Sequence, residues 1–172
     1  LLNRSFLINK EGKIIDYYDK IHLFDVNINS KEIHRESQSV NKGKKIVVCK
    51  IKQVTLGLSI CYDIRFPALF RDLTKKGAQI IFIPSAFTVP TGKDHWETLL
   101  RTRAIENTVF VVATAQCGRH HNNRKTYGHS MIINPWGKII RKTTSLPKIL
   151  NSSINLEEIK VTRLRMPSIY HD

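Results

Sequence analysis

The sequence predicts an α/β layered domain, and three observations carry that expectation. The chain has 172 residues, of which 41% are hydrophobic and 24% charged. That is the composition of a single globular domain long enough to bury a core without disulfides or metals. Apolar runs at 55–60, 79–84 and 109–115 alternate with amphipathic stretches that begin near Pro67 and Gly92. This strand–helix–strand–helix–strand order argues for layered α/β architecture. No apolar run approaches the roughly 20 residues of a membrane span.

Each element has a local reason. Residues 5–9 alternate polar and apolar, Lys10-Glu11-Gly12 supplies a turn, and 13–18 resume the extended pattern, which together read as a hairpin. Residues 27–45 are polar with few apolar anchors and read as a long surface loop. Residues 46–51 and 55–60 are strand-like, the second stopping at Cys61. Pro67 opens a helix at the position where its missing N–H is harmless, and Gly77 closes it. Residues 79–84 are a buried-type strand. A second helix follows Thr91-Gly92, with Trp96, Leu99, Leu100 and Ala104 on its apolar face. Glu97 and Arg101 are spaced to pair on its wet face. Residues 109–115 form another strand and 116–126 a polar loop. Asn134-Pro135-Trp136-Gly137 is a tight turn between strands at 129–133 and 138–141. A further strand is expected at 149–154, a final helix at 156–165, and an extended tail after Pro167.

Composition narrows the partners. The formal net charge is +14, which raises the question of a nucleic-acid partner. The lysines are scattered in ones and twos, and no arginine-rich arm, zinc-finger spacing or RNA-binding aromatic motif is present. The expectation is therefore no nucleic acid and no membrane. Three cysteines, sparse and odd in number, fit a reducing, cytoplasmic setting. Cys117, His120, His121 and His129 do not follow a zinc spacing, so neither metal nor cofactor is expected.

Three residues carry possible chemistry. Cys61 sits where an apolar strand ends and a helix approaches, a place that exposes a side chain beside unpaired backbone N–H groups. That suits a nucleophile, while a buried structural cysteine is the commoner fate of a lone cysteine. Lys20 lies inside the run Tyr18-Asp19-Lys20-Ile21-His22-Leu23-Phe24, where a charge needs a partner or must snorkel to water. Glu36 is a carboxylate in the polar loop and on its own reads as a surface charge. No G-x-S-x-G elbow, phosphate loop or dinucleotide fingerprint is present.

Taken together, these segments resemble the carbon–nitrogen hydrolase (nitrilase) superfamily. The resemblance rests on Tyr18 through Asp25, on Gly57-Leu58-Ser59-Ile60-Cys61-Tyr62-Asp63-Ile64-Arg65-Phe66-Pro67 and on Pro84-Ser85-Ala86-Phe87. It continues through Gly92 to Glu97, Arg101 to Asn107, Tyr127-Gly128-His129-Ser130 and the Asn134–Gly137 turn. The loop from Ala115 to Ser130 is similar to that of the deaminated glutathione amidase branch. The resemblance implies an αββα sandwich, two mixed β layers covered by helices, in a single domain spanning 1–172 that lacks its N-terminal βα portion. It implies Cys61 as nucleophile, Lys20 and Glu36 as its companions, and the Tyr62 backbone N–H as an oxyanion donor. It also implies a general-base glutamate in a segment ahead of Leu1, and a homodimer contact through residues 156–170. The reaction implied is hydrolysis of a small-molecule amide through a thioester, with Arg119, His120, His121 and Arg124 available to hold substrate carboxylates. A catalytically impaired remnant that only binds is the alternative.

Overall fold

The computed structural model describes residues 1–30 and 32–171. In chain order, β1 (Arg4–Ile8) and β2 (Ile14–Asp19) form the expected hairpin, closed by bonds from Gly12 N–H to Asn9 O and from Asn9 N–H to Lys13 O. A second ribbon follows, β3 (Asp25–Asn29) with β4 (Glu32–Arg35), and then a 3₁₀ turn at Glu36–Gln38. The polar segment 27–45 is thus partly a two-stranded ribbon rather than a loop. Its strands pair with each other, and the signal for the first is the short alternation Asp25-Val26-Asn27-Ile28-Asn29, in which Val26 and Ile28 are half-buried.

Next come β5 (Val48–Ile51), β6 (Val54–Leu58), a 3₁₀ turn at Cys61–Arg65, α1 (Pro67–Lys75) and β7 (Ile80–Phe82). A continuous helical stretch then runs through α2 (Val89–Thr91), a π turn at Gly92–Trp96 and α3 (Glu97–Asn107). After β8 (Phe110–Ala113), the expected polar loop is again a ribbon, β9 (Cys117–Arg119) with β10 (Lys125–Tyr127). The chain ends with β11 (Met131–Ile133), β12 (Ile139–Lys142) and α4 (Glu157–Arg165). Residues 149–154 form no strand: Ile149 is exposed, and Ile154 packs on the sheet beside Ile80 and Phe110. The tail is not fully extended but turns once at Ser168–Tyr170, burying Ile169. No helix among the described residues is long and apolar enough to cross a membrane.

One sheet organises the chain, in the order β5-β6-β7-β8-β11-β12. β6, β7 and β8 are parallel, and the flanking strands are antiparallel. Register places Ile81, Val111 and Ile133 on one face, where they meet Phe70, Leu73, Trp96 and Leu100 from the helices. Ile80, Phe82, Phe110 and Val112 occupy the other face. That second face is covered at one end by Tyr18 and Leu7 of the β1–β2 ribbon and at the other by Ile159 of α4. Of the two β layers implied by the resemblance, one is a full six-stranded sheet and the described part of the other is this ribbon. The ribbon's outward side chains Phe6, Ile8, Ile14 and Tyr17 are exposed, as are Val161, Leu164, Met166 and Tyr170 around α4.

The spacing of Glu97 and Arg101 does not produce a pair. Glu97 instead accepts from Lys142 Nζ (2.6 Å), and Arg101 Nε donates to Gly137 O (2.9 Å). Both partners come from the β11–β12 hairpin, which packs close enough to α3 to outcompete the exposed local pairing.

Candidate active site

The site is built where β6 stops. Ile60 is still extended, and Cys61 turns abruptly into the left-handed region at φ +49. A non-glycine side chain there is strained, and such strain persists where the surroundings hold it. Here Cys61 N–H donates to Pro84 O (2.9 Å), locking the elbow to the segment after β7. Tyr62 follows in the first turn of the 3₁₀ segment, where N–H groups lack acceptors within the turn.

Lys20 lies at the end of β2 and is only 3% exposed. Its ammonium is paired with the Glu36 carboxylate. Glu36 also accepts from Asn3 Nδ2 (2.9 Å) and from Phe24 N–H (2.7 Å). Burial pushes the Glu36 carboxyl up, but the bonds from Lys20, Asn3 and Phe24 outweigh it and hold the group below its ordinary 4.5. Burial pushes the Cys61 thiol above its usual 9.0, opposed by the Ala86 backbone, the Lys20 charge and the Ser85 side chain.

Lys20, Glu36, Cys61 and Tyr62 all line one open cavity of about 1140 Å³. Arg124 lines it too, with one guanidinium nitrogen 3.2 Å from Ala86 O. Arg119, His120 and His121 are not on its wall. Arg119 reaches Asn123 Oδ1, His120 Nε2 meets Thr126 Oγ1 (2.6 Å), and His121 is exposed in a 3₁₀ turn. The β9–β10 ribbon explains this division: its pairing aims those side chains at ribbon neighbours and water and leaves Arg124 facing Ala86. Cavity residues that the sequence did not flag include Arg4, Arg35 and Lys148. The wall therefore carries several cations, and among the described residues Glu36 is its single carboxylate.

Close packing behind Lys20 makes one position sensitive. Gly43 N–H donates to Lys20 O (2.7 Å), and a Cβ on Gly43 would fall 2.0 Å from the Asp19 backbone oxygen. Backbone cannot swing aside as a side-chain tip can. Gly43→Ala is expected to lower stability by about 1–3 kcal/mol, read as the urea midpoint of tryptophan fluorescence, to which the fully buried Trp96 contributes.

Comparison with known proteins gives a consistent result. The carbon–nitrogen hydrolase family model matches residues 1–164. The chain is 46% identical over 171 residues to a deaminated glutathione amidase of Synechocystis sp. (strain PCC 6803 / GT-S), covering 98% of this chain and 63% of that protein. It is 46% identical to the deaminated glutathione amidase of Dictyostelium discoideum, covering 99% of this chain and 60% of that one. The chain thus spans about three-fifths of the length of these relatives. The crystal structure of the C. elegans NitFhit protein superposes with a TM-score of 0.92 at 41% identity, covering 99% of this chain and 42% of that one.

Proposed function

The chain belongs to the carbon–nitrogen hydrolase family, and from that premise we propose that it hydrolyses the amide of a small carboxylate-bearing molecule through a Cys61 thioester. The observation that carries the reading is the convergence of the Cys61 elbow and the buried Lys20–Glu36 pair on one cationic cavity. The Cys61 sulfur attacks the amide carbon. The oxygen that becomes negative is met by the Tyr62 N–H and the Lys20 ammonium, donors fixed before reaction begins. The C–N bond breaks, the amine departs carrying the thiol's proton (ammonia from a primary amide, cysteinylglycine from deaminated glutathione), and water cleaves the thioester to release the acid and regenerate the thiol. Arg35, Arg124 and Lys148 are the groups available for substrate carboxylates. The names of the relatives make deaminated glutathione the first substrate to try.

The proton transfers need a base. Glu36 is already engaged by three donors, and this favours a second reading in which the site binds substrate without turnover. The two readings separate in one experiment. Amide hydrolysis is measured, as cysteinylglycine release from deaminated glutathione and as ammonia release from a panel of ω-amides, for this chain and for Cys61→Ala. Release that falls to background in Cys61→Ala supports the hydrolase. No release, with Cys61 still shielded from alkylation by the amide, supports the binding-only reading. No release and no shielding would remove both.

A further inference from the structure

Lys20 and Cys61 are separated by forty-one positions in sequence, so something must fix the ammonium relative to the sulfur. The buried pair with Glu36 orients the Lys20 tip but does not touch the elbow. A different carboxylate does. Asp63 is completely buried, two residues after the cysteine. Its Oδ2 accepts from Tyr18 OH (2.8 Å) and Ile60 N–H (2.9 Å). Its Oδ1 accepts from His22 N–H (3.1 Å) and His22 Nδ1 (2.7 Å). Tyr18 and His22 stand two residues before and two residues after Lys20. Ile60 stands immediately before Cys61. One carboxylate, two residues after the cysteine, therefore holds both sides of the lysine and the residue just before the cysteine. The ends of the network are fixed as well. Tyr18 OH accepts from Ile21 N–H (3.2 Å), and the His22 ring stacks on Phe66 at 3.6 Å and 6°.

We propose that Asp63, through its hydrogen bonds to Tyr18 and His22, is a positioning residue that sets the Lys20 ammonium against the Cys61 sulfur. The proposal rests on the Lys20–Cys61 pair of the functional reading above, but it is tested without amide turnover. The carboxylate itself is not the residue to substitute first, because its removal strips acceptors from several buried donors at once. Tyr18→Phe and His22→Phe each delete a donor and keep an aromatic ring in place.

The probe is iodoacetamide at a single pH, with alkylation of Cys61 followed peptide by peptide so that Cys49 and Cys117 are scored apart. A nearby ammonium favours the thiolate, so Lys20→Met is expected to slow Cys61 alkylation on the order of tenfold. Tyr18→Phe and His22→Phe are expected to slow it several-fold when Lys20 is present and not at all in the Lys20→Met background. That non-additivity is the mark of action through the lysine, and a merely structural defect would act in both backgrounds. His22→Asn, which retains a side-chain N–H, should recover most of the rate. Where amide hydrolysis is measurable, Tyr18→Phe should lower kcat and leave KM nearly unchanged. Wild-type alkylation rates in both aromatic variants, or equal slowing with and without Lys20, would overturn the proposal. A Lys20→Met chain alkylated as fast as wild type would overturn it together with the Lys20–Cys61 pairing. A chain that shows the expected cycle but hydrolyses no amide would leave the positioning role standing and remove the hydrolase.

Discussion

Lys20→Met is expected to lower amide hydrolysis by about 10²–10³ and, separately, to reverse the pH dependence of stability contributed by Glu36. On the proposed mechanism, the catalytic loss follows from removing one of the two donors that meet the developing oxyanion, and Lys20 is itself only 3% exposed. The effect on stability follows from what stays behind. Glu36 is 17% exposed in its side chain, and without the ammonium its charge keeps only Asn3 Nδ2 and Phe24 N–H as donors. Breaking a largely buried pair by deleting one partner costs about 3 kcal/mol.

The sign of the pH effect is determined by the direction of the Glu36 shift. In the wild-type chain the carboxyl is held below 4.5 in the folded state. Its contribution to stability is then complete above about pH 4.5 and lost as pH falls through the lowered folded value. In Lys20→Met, burial is opposed only by the Asn3 and Phe24 bonds, and the folded carboxyl is expected to rise past its unfolded value. The ionised group then opposes folding at neutral pH, and protonation relieves it. Urea midpoints should therefore rise between pH 7 and pH 5 in Lys20→Met, relative to the same change in the wild type. Parallel trends in the two proteins would show that Lys20 does not control Glu36.

How much of this was legible in the sequence depended on whether the cause was local. α1 was readable because Pro67 and Gly77 act on their own turns, and Leu69, Phe70 and Leu73 recur at helical spacing. β7 and β8 were readable because both of their faces are covered, by the helices on one side and by the ribbon or α4 on the other. The β3–β4 and β9–β10 ribbons were not: the alternation Asp25-Val26-Asn27-Ile28-Asn29 is short and runs into a polar stretch, and the three-residue strands Cys117–Arg119 and Lys125–Tyr127 carry no apolar pattern. The same division runs through the site. Lys20 stood out because a charge in an apolar run requires a partner, and Glu36 proved to be that partner. The choice of Arg124 over Arg119, His120 and His121 on the cavity wall depended on ribbon pairing that composition does not encode. Lys148 lies in a segment with no pattern of its own. Asp63 interrupts the apolar stretch that ends in Ile64, a visible signal of the kind that identified Lys20. Its donors Tyr18 and His22 lie 45 and 41 positions away, beyond any local rule.

Asp63→Ala is expected to destabilise the fold by about 3–5 kcal/mol, because it leaves a set of buried donors without an acceptor rather than removing a favourable contact alone. Tyr18 OH and Ile60 N–H lose Oδ2, and His22 loses the acceptor for both its N–H groups. Tyr18 is fully buried, so water cannot readily replace the carboxylate there. Burial, with the charge of Asp63 and the bond to it, also pushes the Tyr18 hydroxyl well above its ordinary 10.0. The hydroxyl therefore remains a donor at any working pH and keeps its need for an acceptor. Asp63→Asn should lose about half as much by the same reckoning. Its remaining oxygen can still serve Tyr18 and Ile60, while its NH₂ faces the His22 backbone N–H, a donor against a donor. The His22 ring can ease only part of that conflict by moving its proton to Nε2, which turns Nδ1 into an acceptor. Urea unfolding followed by tryptophan fluorescence, to which the buried Trp96 contributes, should order the three proteins as wild type, Asp63→Asn, Asp63→Ala. Equal midpoints for the two variants would mean that the negative charge, and not the count of accepted bonds, holds the elbow to the lysine strand.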